Sequence, residues 1–110
     1  MEKLIREMRD FVTEHGGPVK THYADGKLIF NTTVEDHSET IQRHARLFMK
    51  MDDYFRRNGL ESHIKHLDTA NFSTPGALVA FKAVSARGKE ELLSIYNAAL
   101  QAGFVKTEKQ

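Results

Sequence analysis

The sequence predicts a single α+β domain in the order α-β-β-α-β-β-α, and three observations carry that prediction. Apolar residues recur at three- and four-residue steps in three separate segments, the spacing of one helix face. An Asp25-Gly26 pair joins two alternating, β-branched or aromatic runs, a strong hairpin signal. Residues 27–102 read β-α-β-β-α, most of a split β-α-β unit. A length of 110 residues, 40% of them apolar, suits one core and one domain.

The first helix spans residues 1–15, with Leu4, Ile5, Met8, Phe11 and Val12 on one side. Gly16-Gly17-Pro18 ends it, because proline cannot continue a helix. Residues 19–23 and 27–34 are the arms of the hairpin. In the second arm Leu28, Phe30 and Val34 share a face, while Ile29, Asn31 and Thr33 share the other. Asp36 or Ser38 is the expected cap of a long helix over 36–58. Its apolar stripe is Ile41, Ala45, Phe48, Met51 and Phe55, and Asn58-Gly59 stops it.

Residues 60–67 form a polar strand and 68–76 a loop, followed by the most apolar strand, 77–85. A final helix over 88–102 carries Leu92, Ile95, Tyr96, Ala99 and Leu100 and ends at Gly103. In the split β-α-β arrangement, strands 27–34 and 77–85 are central neighbours and the polar strand takes an edge, where charge discourages aggregation. Residues 19–23 and 104–107 compete for the other edge. The hairpin arm is favoured because its loop closes locally. The expected sheet is therefore four-stranded and antiparallel.

Sixteen Lys and Arg balance fifteen Asp and Glu, leaving a net charge of +1. That balance is unlike a dedicated polyanion binder. With no cysteine, disulfides and thiolate chemistry are excluded. The opening residues mix charge into every turn and no apolar run reaches membrane-spanning length, so a soluble, cytoplasmic protein without membrane contact is expected.

There is no phosphate-binding glycine loop, Gly-x-Ser-x-Gly elbow or His-Glu-x-x-His pair, so neither an enzyme nor a cofactor is expected. His63 and His66 are the closest pair among six histidines, but on a strand their spacing sends them to opposite faces. A metal site there, with Asp68, is disfavoured. His44 falls at the margin of the long helix's apolar stripe, as a partly buried, hydrogen-bonded histidine would.

The clearest surface feature is a basic row on the long helix. Arg43, Arg46, Lys50 and Arg57 lie within about 60° of one another on a helical wheel, bordered by Tyr54. Like charges three and four residues apart repel, so the row points to contact with an acidic surface or phosphate. Phe72, alone in the polar 68–76 loop, is a further candidate contact.

The aromatics of the central strands, Phe30 and Phe81, share the core parity, which leaves a poor platform for stacking bases. The opposite sheet face carries Ile29, Leu78, Ala80 and Val84, apolar enough to want a cover from the first helix or a second copy of the chain. These features predict a non-catalytic interaction protein (an adaptor, regulator or inhibitor) with a protein partner. A nucleic-acid-binding module using the basic helix face is the alternative.

Overall fold

The computed structural model describes residues 2–15, 19–33, 37–68 and 76–106, without the side chains of residues 15, 31–33, 37–45, 66–68 and 76–79. Its elements are α1 (Glu2–His15), β1 (Lys20–Ala24), β2 (Lys27–Thr33), α2 (His37–Arg57), β3 (Ile64–Asp68), β4 (Gly76–Ala83), α3 (Ala86–Gln101) and β5 (Val105–Lys106). They build an α+β structure with three helices and one five-stranded sheet in the order β3-β4-β2-β1-β5.

The hairpin forms where the sequence places it, with Asp25 and Gly26 both at positive φ, 56° and 72°. Two positive φ angles in a two-residue loop match the twist of the flanking strands. As expected, β2 and β4 are central neighbours and β3 lies at an edge. The expectation of four antiparallel strands needs correction, because Val105 and Lys106 add a fifth strand parallel to Lys20 and Thr21.

The cause of that addition lies at the end of α3. Gly103, at φ 109°, follows the helix, and the Phe104 N–H returns to the Ala99 carbonyl at 2.9 Å. This is a glycine-terminated helix end whose next residue folds back as an apolar plug. Phe104 is buried, its ring 5.2 Å from that of Phe30 and 6.4 Å from that of Phe11. With Phe104 anchored, the Val105 N–H reaches the Val19 carbonyl at 2.8 Å and the tail runs beside β1.

The same device ends α2. Gly59 sits at φ 66°, Leu60 is buried, and the Leu60 N–H bonds to the Phe55 carbonyl at 2.8 Å. Residues 61–63 then form a turn, so the strand expected from residue 60 starts at Ile64. Helix α2 begins at His37, so Ser38 lies within its first turn, and the alternative cap, Asp36, falls outside the described residues.

One face of the sheet carries the core. Thr21, Leu28, Phe30, Phe81 and Ala83 are buried there beneath Met51 and Phe55 of α2 and Leu92, Ile95 and Ala99 of α3. Helix α1 packs against α2 and α3 and inserts Leu4, Met8 and Phe11 into the same core. It therefore adds to the helical layer and does not cover the far side of the sheet. Its docking also explains why Leu47, outside the expected stripe, is buried.

Thr21 is the exception in this apolar layer. It is fully buried, and its hydroxyl has no hydrogen-bond partner among the described residues. A buried unsatisfied hydroxyl costs about 1–3 kcal/mol, and a methyl group of the same shape removes that cost. Thr21→Val is accordingly expected to stabilise the protein by about 1 kcal/mol. Chemical denaturation of the two proteins measures it, and a loss of stability would show that the hydroxyl is satisfied.

Candidate docking surfaces

Helix α2 is continuous over its 21 residues and carries the basic row along its margin with α1. The Lys50 ammonium pairs with the Glu7 carboxylate of α1, and Arg46 lies 3.8 Å from Glu14 of the same helix. Arg57 pairs with Asp53 one turn back at 2.9 Å. All three cations remain exposed, and exposed pairs of this kind contribute only about 0–1 kcal/mol each. Their charge is nevertheless met within the chain.

Tyr54 is half-buried and donates its hydroxyl proton to Glu91 of α3 at 3.1 Å. Burial, then the Glu91 carboxylate, raises its pKa above the usual phenol value, so the donor keeps its proton near neutrality. The side chains of Arg43 and His44 and the whole of Phe72 fall outside the described residues.

A second basic surface emerges only from the sheet. Lys27 on β2 stands opposite Lys82 on β4, and Lys82 stands opposite Lys65 on β3. Their neighbours Leu28, Phe81 and Ile64 point into the core, so alternation places all three lysines on the far face, where they are exposed. Adjacent strands lie about 4.8 Å apart, so three ammonium-bearing side chains rise from one line crossing the sheet.

Like charges directly opposite one another destabilise a sheet. Among the described residues, none of the three has an ion-pair partner. The next row holds half-buried Ile29 opposite Ala80, which is only 4% exposed, with half-buried His22 opposite Ile29 on β1. Exposed Lys20 lies one row further along. Of the apolar set expected on this face, Ile29 and Ala80 are adjacent, whereas Val84 lies beyond the end of β4 and is 54% exposed. No described element covers the lysine row.

The histidine at 63 has a partner that its sequence neighbours do not reveal. Its Nδ1 lies 2.8 Å from the Ser85 hydroxyl, which caps α3 by accepting the Gly88 N–H at 3.1 Å. A hydroxyl offers one donor and two acceptor sites, so Ser85 can hold the Gly88 N–H and the His63 ring together, with the direction of the second bond set by the imidazole tautomer. Ser85 is thus engaged in closing a helix end against the 61–63 turn. His63 lies in that turn and not on a strand, so strand parity does not govern its direction; the His66 side chain is outside the described residues. No cluster of three His, Asp or Glu suited to a metal ion occurs among the described residues.

Comparison with known proteins adds no relative: no family model matches the chain, and neither the curated proteins nor the solved structures contain a significant match. Among the described residues, no helix is long and apolar enough to cross a membrane.

Proposed function

We propose that the protein is a non-catalytic docking domain, an adaptor, regulator or inhibitor that binds a protein through the far face of its sheet. The observation that supports this reading best is the Lys27–Lys82–Lys65 row, without ion-pair partners among the described residues, beside half-buried Ile29. Charge neutralised inside a protein attracts a partner weakly, and that separates the two basic surfaces. Arg46, Lys50 and Arg57 each have a carboxylate at hand, whereas the sheet lysines have none among the described residues. The nucleic-acid reading through α2 loses weight for the same reason. A homodimer formed face to face through this surface would oppose two lysine rows, so it too is less supported. A cytoplasmic setting completes the proposal.

Site-specific photo-crosslinking in the native host tests it. A crosslinker at position 82 is expected to give discrete protein adducts, and one at exposed Gln101, the last residue of α3, is not. Equal labelling from the two positions, or none from position 82, would count against the docking face.

A further inference from the structure

We infer that the partner presents an acidic segment that also carries aliphatic side chains, its carboxylates along the lysine row and its apolar residues over the half-buried Ile29. This rests on the docking reading above and adds the chemistry of the ligand. The charge is the first argument. Lys20, Lys27, Lys65, Lys82 and His22 share the far face, and among the described residues none of these lysines has an ion-pair partner. Asp68 is an acidic position near the row, opposite Ala80 past the irregularity between His66 and Asp68. A face selected only for contact with water would more often mix signs. Three aligned ammonium groups call for an anion that extends across strands.

The second argument concerns which anion. A nucleic acid held by a sheet ordinarily stacks its bases on exposed aromatic rings. Here Phe30 and Phe81 are buried in the core, and Tyr23 faces the helices, its ring 5.8 Å from Tyr96 and its hydroxyl donating to the Lys89 carbonyl. The row is built from lysine, without the planar fork with which arginine grips phosphate. A phosphate backbone would also leave the exposed part of Ile29 without an apolar complement. A polypeptide bearing both Glu or Asp and Leu or Val meets both rows at once.

The spacing fits a helix. Residues three or four apart on a helix are separated by about 4.5–6 Å along its axis, close to the roughly 4.8 Å between strands. A helix laid across β2, β4 and β3 would set one carboxylate against each lysine, with its adjacent edge over the Ile29 row. Charge complementarity thus names the occupant, and like charge disfavours a second copy of this chain.

The test uses three fluorescent probes against the whole chain at physiological salt: an 18-residue Glu/Leu amphipathic peptide, its Gln/Leu counterpart and an 18-residue oligothymidine. The Glu/Leu peptide is expected to bind and to shift the backbone amide signals of Ile29, Lys65 and Lys82. A Lys27→Glu/Lys65→Glu/Lys82→Glu variant is expected to weaken it about tenfold or more. A Lys/Leu peptide should then bind that variant better than it binds the parent. All three substitutions are at exposed positions, and circular dichroism verifies the fold.

Tighter binding of oligothymidine, equal binding of the Gln/Leu peptide, or no binding of the Glu/Leu peptide would overturn the inference. The crosslinking experiment separates this failure from that of the docking reading. Adducts at position 82 that survive the charge reversals leave the docking face standing and remove its acidic ligand. Absence of adducts removes the face itself.

Discussion

Phe81→Ala is expected to lower the stability of the folded chain by about 4 kcal/mol, within the range for emptying a buried aromatic site. Phe81 is fully buried on the central strand β4, where its ring lies 5.7 Å from Phe48 in a stacked arrangement and 5.1 Å from Phe55 edge to face. Both partners come from α2, so this one residue ties the long helix to the middle of the sheet. Removing the ring discards transfer free energy and two aromatic contacts, and the fixed backbones of β4 and α2 keep the cavity from closing. Domains of this kind have total stabilities of roughly 5–15 kcal/mol, so the variant stands close to the unfolding limit. Urea denaturation followed by far-ultraviolet circular dichroism reads the loss. A cost below about 2 kcal/mol would mean that α2 settles onto the sheet without its aromatic anchor.

How much of this was legible in the chain follows from the range over which each signal acts. Local signals were reliable. Asp25-Gly26 specified its turn, Asn58-Gly59 and Gly103 specified two helix ends, and the parity of Leu28, Phe30 and Phe81 identified the buried face. Signals that depend on what lies opposite were not. The apolar character of Phe104 is plain, but its role in anchoring a fifth strand depends on Phe30 and Phe11.

The two basic surfaces show the same division. A helical wheel finds the α2 row because its members are close in sequence, yet it contains no information about Glu7 and Glu14, which only the docking of α1 brings near. Lys27, Lys65 and Lys82 come from three separate strands, and only the pairing register aligns them. The far face consequently reads in the sequence as apolar, through Ile29 and Ala80, whereas in the structure Ala80 is buried and an exposed lysine row runs beside half-buried Ile29. The bond between His63 and Ser85 belongs to the same non-local class.

Gly88→Ala reverses the sign that helix propensity assigns to it. In an exposed helix interior, replacing glycine with alanine gains roughly 0.5–1 kcal/mol, because glycine loses more backbone freedom on folding. Gly88 is buried in the first turn of α3, and a Cβ there would lie 2.2 Å from the His63 carbonyl oxygen. That oxygen cannot simply withdraw, since it accepts the Val84 N–H at 2.8 Å, and the His63 N–H is itself held by the Leu60 carbonyl at 2.8 Å. The alternative is for the start of α3 to move outward.

Moving α3 outward separates Ser85 from His63 and strains the cap that Ser85 provides to Gly88. Overpacking of about 1–3 kcal/mol then adds to a lost cap worth about 1 kcal/mol, and together they exceed the propensity gain. The expected net loss is about 2–3 kcal/mol. Arg87→Ala, one residue earlier and exposed, changes the same turn without meeting the 61–63 segment and is expected to stay within about 0.5 kcal/mol of the parent. Thermal and chemical denaturation of the two variants side by side decide the matter. A Gly88→Ala protein as stable as the Arg87→Ala control would show that the helix stands further from the turn than this contact requires, and the closeness of α3 to His63 would no longer explain why glycine occupies the position.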